Sequence, residues 1–347
     1  MVGPGLRRPS RNDGNGASRS GRASAGTLIV TLAAAFVFLG FYRPPAGIAS
    51  APFAQARVLV PPVRAALSAF GRSGDVRMRF TLPGERLEYP LEVGGDPHTL
   101  GYTWVRLADS VVVDSIRPLE GEGLIAPPEP GFYQLAVMRD GVRRVVGDLT
   151  VAVLVPFEEK RGAVLDGYTM GTFLAERRGG VEEDLPEGFV RVDSRTASLP
   201  VSKHLRLGDF LTKDTQNVWP RYAAIDPRLL DKLELVIDAI GELRGDTSGV
   251  RVEIDVHSGF RTPFYNTRKR FARDSRHTHG DAIDVAIDAN GDGRITRSDT
   301  RLVALAVERI ERLHPDLVGG MGLYTSAKYN QAFVHIDTRG SRARWTG

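Results

Sequence analysis

The sequence predicts an α+β protein, with a β-rich first half and a second half in which helices pack on a small, largely antiparallel sheet. Three observations predict it. From Val76 to about Val155, short stretches such as VRMRFTL, YTWVRL and YQLAVMR alternate in polarity between turn formers, among them Pro83-Gly84, Pro130-Gly131 and Asp140-Gly141. After Asp226, residues Leu229, Leu230, Leu233, Val236, Ile237 and Ile240 recur at helical spacing. Near the C-terminus, GGMGLYT and AFVHIDT read as closing strands.

In chain order, residues 1–26 are rich in Gly, Ser and Arg, and Arg7, Arg8, Arg11, Arg19 and Arg22 against Asp13 form a solvated basic tail. Residues 27–42 are an uncharged apolar run closed by Arg43-Pro44-Pro45, which reads as a transmembrane or signal segment. The preceding arginines place the tail in the cytoplasm and everything afterwards outside. The expected location is the cell envelope, anchored in the inner membrane with extracytoplasmic domains; small residues near Ala49 and Ala56 also permit cleavage. Residues 43–74, rich in Pro, Ala and Gly, are a linker. Residues 75–156 have the strand spacing of an immunoglobulin-like β-sandwich, a spacer or binding module without a titratable cluster. Residues 157–200 read as an irregular connecting segment with one short strand at 189–192, and residues 201–347 as the C-terminal domain. That domain opens with Asp226 as N-cap and Pro227 at the first helical position. VRVEIDV at 250–256 alternates as a strand, and a second helix over 302–313 stops at His314-Pro315.

The 347 residues carry a formal charge of +4, a pI near 9.4 and no cysteine. The missing cysteines exclude a disulfide scaffold, a thiolate metal cluster, a cysteine nucleophile and a lipid anchor on cysteine. The mild basicity suits an anionic cell wall or a membrane surface. The membrane is expected as a partner through the N-terminal segment; a nucleic acid is not.

Histidine is the informative residue. Five of the seven lie after residue 250, two of them in Arg276-His277-Thr278-His279-Gly280-Asp281-Ala282-Ile283-Asp284. Zinc takes imidazole nitrogen and carboxylate oxygen, and a catalytic site keeps one position for water, so three mixed His and Asp ligands suffice without cysteine. His277 and Asp284 bracket a glycine turn entering a strand. In Phe333-Val334-His335-Ile336-Asp337, His335 and Asp337 share a strand face.

Residues from about 190 to 345 resemble the M15 family of zinc D-Ala-D-Ala carboxypeptidases and peptidoglycan endopeptidases, in its branch ending in a His-x-Asp strand. The resemblance rests on Ser258-Gly259-Phe260-Arg261-Thr262-Pro263, Tyr265-Asn266, the His-x-x-Gly-x-Ala-x-Asp at 277–284, His335-Ile336-Asp337 and Arg344-Trp345. The upstream run at 202–210 is also similar. The resemblance implies zinc held by His277, Asp284 and His335, and an Arg261 that binds the substrate peptide and steadies developing negative charge. It places Ser258 and Tyr265 beside the substrate, with peptidoglycan peptides as the partner. Many relatives carry Glu or Asp three residues before the last histidine, but Ala332 stands there. Asp337 is therefore the expected general base, with orientation of His335 as its alternative role. The implied activity is D,D-carboxypeptidase or endopeptidase hydrolysis of stem peptides or cross-links. The alternative is an envelope protein that binds peptidoglycan without cutting it.

A second metal site is readable from spacing. Residues 288–299 place oxygen ligands as in a twelve-residue calcium loop: Asp288, Asn290, Asp292, the carbonyl of Arg294, and Asp299, with Gly293 at the sixth position. Asp rather than Glu at the last position resembles the dockerin variety. Structural calcium is expected there, fixing the zinc strand and the helix after it.

Overall fold

In a computed structural model, the structure describes residues 64–65, 70–87, 89, 91–92, 97–119, 123–147, 149–178, 185–245, 252–325 and 329–347. The apolar segment 27–42 lies outside these residues. Among the described residues no helix is long and apolar enough to cross a membrane.

The β-rich half contains β1 (Met78–Thr81), β2 (Arg86–Leu87), β3 (Gly101–Arg106), β4 (Arg117–Pro118), β5 (Leu124–Ile125), β6 (Gly131–Arg139), β7 (Val142–Val145) and β8 (Thr150–Val153). One sheet runs in the order β1-β8-β6-β3-β4, with β7 paired to β6. Its pairs are antiparallel except β1 with β8. Asp140 and Gly141 both have positive φ, the backbone that a two-residue hairpin turn between β6 and β7 demands. Over one face lies the β2–β5 ribbon. The Trp104 indole N–H donates to the Ile125 carbonyl at 2.7 Å, and the Ile125 N–H donates to the Tyr102 hydroxyl at 3.0 Å. The buried Leu87, Leu124, Trp104, Leu135 and Val151 fill the space between. An immunoglobulin-like sandwich has two sheets of similar size; here, among the described residues, the second layer is this short ribbon.

Then come β9 (Val155–Pro156), α1 (Leu174–Arg178), β10 (Gly188–Val192) and β11 (Arg221–Ala223), the strands forming an antiparallel sheet in the order β9-β10-β11. Residues 157–200, expected as a connector, place Leu165, Tyr168, Met170, Phe173, Phe189, Val190 and Val192 in the same core as the C-terminal helices. Their apolar positions are dispersed over short pieces, so no single period marks them.

The C-terminal part comprises α2 (Pro227–Leu243), β12 (Ile254–Ser258), α3 (Pro263–Arg268), β13 (Ala282–Ile287), α4 (Arg297–Leu313), β14 (Gly320–Tyr324), β15 (Phe333–Asp337) and β16 (Ala343–Thr346). The sheet order is β12-β13-β15-β14-β16, antiparallel except β14 with β16. The helix α2 starts as its sequence requires, with the Asp226 carboxylate accepting the Arg228 N–H at 2.8 Å. Ile283, Val285, Val334 and Ile336 join the buried residues of α2 and α4 in one core. Because side chains alternate along a strand, Asp284, His335 and Asp337 point away from those helices.

Candidate metal centre

Asp284 on β13 stands directly opposite His335 on β15, so the two side chains share a face of the sheet. His277 arrives from the 3-10 turn Arg276–Thr278. Gly280, at φ 82°, then folds the chain into β13; a Cβ there would strike the backbone of Ala224. The three side chains are buried and converge: His277 Nε2 lies 3.2 Å from Asp284 Oδ1 and 3.1 Å from His335 Nδ1, and His335 Nδ1 lies 2.8 Å from Asp284 Oδ1.

The outer partners decide which ring nitrogens face inward. His277 Nδ1 is 2.7 Å from the Gly259 carbonyl, which only accepts, so Nδ1 carries the proton and Nε2 presents a lone pair. His335 Nε2 is 3.1 Å from the Asp337 carboxylate, so Nε2 carries the proton and Nδ1 presents a lone pair. Two nitrogen lone pairs and a carboxylate oxygen thus aim at one buried point. They repel one another unless a proton or a cation stands between them. The protonation tendencies agree. Burial pushes His277 down, toward the neutral ring. Burial also opposes charge on Asp284, but His277 and His335 hold its carboxyl well below the usual carboxylate range. Burial works against charge on His335 too, yet its bonds to Asp284 and Asp337 raise it. Neutral imidazoles with one carboxylate are the donor set of a zinc site, and these residues fit the ion.

Arg261 follows the Ser258-Gly259 corner. A bulge between Val256 and Ser258 puts Ser258 beside Asp284. The Arg261 Nε–H donates to Ser258 Oγ at 2.7 Å, Nη2 donates to the second oxygen of Asp284, and the guanidinium lies 4.4 Å from the centre of the Phe271 ring. Tyr265 lies beside Phe271. Its ring packs 6.3 Å from Phe271 with Lys269 over it, and its N–H bonds the Thr262 hydroxyl that caps α3.

Asp337, the expected base, is fully buried. Oδ1 accepts the N–H groups of Gly320 at 2.7 Å and Arg339 at 3.1 Å; Oδ2 faces His335 and the Arg339 guanidinium. Burial disfavours its charge, but these donors hold the carboxyl well below its usual range. A carboxylate so engaged orients His335 and is poorly suited to accept a proton. His279 turns to Asp274, 3.4 Å away.

Sequence reasoning did not anticipate the wall beside the cluster. The Trp345 ring lies 5.1 Å from His335, its indole N–H donates to the Tyr324 hydroxyl at 2.9 Å, and Tyr324 stacks on Phe333 at 4.5 Å. Gly322 admits the indole, which a Cβ would displace. The signal was the alternation of Phe333 with His335 on one strand face.

Among the described residues, only His277, Asp284 and His335 form a cluster of three or more His, Cys, Asp or Glu able to hold an ion. The carboxylates of Asp288, Asp292 and Asp299 are not part of such a cluster. Asp288 instead accepts the N–H groups of Gly291 (2.8 Å), Asp292 (3.2 Å) and Gly293 (2.9 Å). Asn290 Oδ1 accepts from Asp292, and Asp292 accepts the N–H of Arg294. Asp299 accepts the N–H groups of Asn290 and Thr296.

Residues 201–345 match the peptidase M15 family model described as peptidoglycan L,D-endopeptidase MepK. No curated protein and no solved structure matches the chain. The matched stretch, less than half of the chain, holds all three converging donors together with Arg261 and Asp337.

Proposed function

We propose that the C-terminal region is a zinc-dependent peptidase that cuts peptide bonds in peptidoglycan, as an endopeptidase acting on stem peptides or their cross-links. The supporting observation is the convergence of His277 Nε2, His335 Nδ1 and Asp284 Oδ1, each held by a partner that turns its free electron pair inward. Zinc bound there would supply Lewis acidity to the scissile carbonyl and lower the pKa of an attacking water. Arg261, anchored through Nε and Nη2, has further N–H groups for the carbonyl oxygen as it gains charge. Asp337 enters as the group that orients His335. The Tyr324–Phe333–Trp345 wall flanks the substrate peptide and keeps bulk water from the reacting bond. The family description, an L,D-endopeptidase, favours internal cleavage over removal of a terminal D-residue. An envelope location with a membrane anchor at 27–42 belongs to the same proposal and rests on the sequence. So does calcium at Asp288, Asn290, Asp292, Arg294 and Asp299, which rests on spacing alone.

The competing reading is a wall-binding protein without activity, favoured by Ala332 and by the engagement of Asp337. Incubating the purified chain with cross-linked muropeptides, with and without zinc, separates the two. Zinc-dependent appearance of new amino and carboxyl termini is expected. Muropeptides left intact at every zinc concentration would favour the binder.

A further inference from the structure

Behind the metal centre lies a charged pair that the proposed chemistry does not use. Lys232 of α2 is fully buried, and Glu311 of α4 is nearly so. The Lys232 ammonium donates to Glu311 Oε1 at 2.8 Å and to the main-chain carbonyl of Asp337 at 2.8 Å. Glu311 Oε1 also accepts the Gly319 N–H at 3.1 Å, and its other oxygen takes the Arg344 guanidinium. Arg344 in turn donates to the Gly319 carbonyl at 2.7 Å. The next residue, Gly320, gives its N–H to the Asp337 carboxylate. Side chains at either glycine are excluded: a Cβ on Gly319 would run into the Asp337 carbonyl, and one on Gly320 into its carboxylate. Lys232, Glu311 and the Gly319-Gly320 corner therefore hold Asp337 at both its main chain and its side chain.

A buried ion pair is weak as a source of stability, because apolar side chains of similar volume commonly do as well. Burial pulls the Lys232 ammonium down against the support of Glu311, so its charge carries a cost. An apolar residue at position 232 has no donor for the Asp337 carbonyl.

We infer that Lys232 is a positioning residue for the metal centre: countered by Glu311, it fixes the main chain of Asp337, whose carboxylate then selects the ring nitrogen that His335 turns toward His277 and Asp284. The inference rests on the zinc reading and adds to it a control point in the helical layer, reached through one carbonyl.

The test uses the full chain carrying Lys232→Met with Glu311→Gln, which removes both charges and leaves a side-chain carbonyl for Gly319. Circular dichroism reports the fold, chelator competition the zinc affinity, and nitrogen-15 NMR of the zinc-loaded chain the His335 Nε2–H. The expected result is a folded protein whose zinc affinity is about 10–100-fold weaker, the range found when an outer partner of a metal ligand is lost, with an exchange-broadened Nε2–H signal. A folded variant with wild-type affinity and a sharp Nε2–H overturns the inference. If the variant does not fold, Lys232→Met alone, with Glu311 kept on Gly319 and Arg344, asks the same question: weakened zinc binding in a folded chain supports the inference and unchanged binding ends it. A wild-type chain that binds no zinc instead removes the metalloenzyme reading itself, an outcome distinct from either.

Discussion

Arg261 is bound on three sides, by Ser258, Asp284 and the Phe271 ring. Only a planar fork satisfies the two hydrogen bonds while presenting further donors to a substrate; an ammonium on a flexible stem does not. Arg261→Lys is expected to leave zinc affinity within about tenfold and to lower kcat by about 10²–10³-fold, the usual cost of one lost oxyanion donor. Steady-state kinetics on a cross-linked muropeptide, with zinc content measured alongside, checks this. Unchanged kcat would make Arg261 a structural clamp on Asp284 alone. At this scale the sequence was legible where the residue type carries the chemistry. His277, Asp284 and His335 are the kinds of side chain that ligate metals, and they are brought together. Which of its two candidate roles Asp337 takes was not legible. Its partners Gly320 and Arg339 identify themselves only once β14 and the end of β15 are packed side by side, and sequence cannot distinguish a free carboxylate from one already holding four donors. Gly259 was hidden for the same reason, since its contribution is a main-chain carbonyl.

The helices show why elements were easier to read than their edges. The start of α2 at Pro227 and the end of α4 at Leu313 fall where Asp226-Pro227 and His314-Pro315 require. The helix α4 begins at Arg297, earlier than its apolar period suggests, because Thr296 and Asp299 form a capping box: the Thr296 hydroxyl accepts the Ser298 N–H at 3.2 Å, and Asp299 accepts the Thr296 N–H at 2.8 Å. Asp299 therefore has a complete local role without an ion, and calcium binding at 288–299 becomes a question of whether the loop gains from one. A ligand that binds only the folded chain raises the melting temperature with its concentration. Millimolar calcium is expected to raise Tm of the wild-type chain by several degrees and to leave Asp288→Ala unmoved. Identical Tm with calcium and with a calcium-selective chelator would reduce this loop to a helix cap. The bulge in β12 was equally invisible: alternation in VRVEIDV predicted a strand, but not the extra residue that turns Ser258 toward Asp284.

For the whole molecule, the family match and the folding unit do not coincide. The match begins at residue 201, whereas the core that supports the metal face contains Leu165, Tyr168, Met170, Phe173, Phe189, Val190 and Val192, all at most 3 % exposed. Val76, together with Met78 and Phe80 from the first sheet, belongs to that same core. The two parts are also joined through the main chain, with the N–H of Arg77 on the Val201 carbonyl and the N–H of Lys203 on the Asp75 carbonyl, both at 2.9 Å. Burying one large apolar side chain is worth roughly 1.5–3 kcal/mol, so seven of them contribute roughly 10–20 kcal/mol, as much as the ~5–15 kcal/mol by which a domain is stable at all. A chain comprising residues 201–347 is therefore expected to show no cooperative unfolding transition and no specific zinc binding. A chain beginning at residue 70 is expected to unfold in a single step. Trp104 lies in the first sheet and Trp219 and Trp345 in the C-terminal half, so tryptophan fluorescence samples both regions and its urea midpoint should coincide with that of far-ultraviolet circular dichroism. Two separated transitions in the longer chain, or a zinc-binding folded domain from the shorter one, would show that the first sheet is an independent module and that the matched region stands without it.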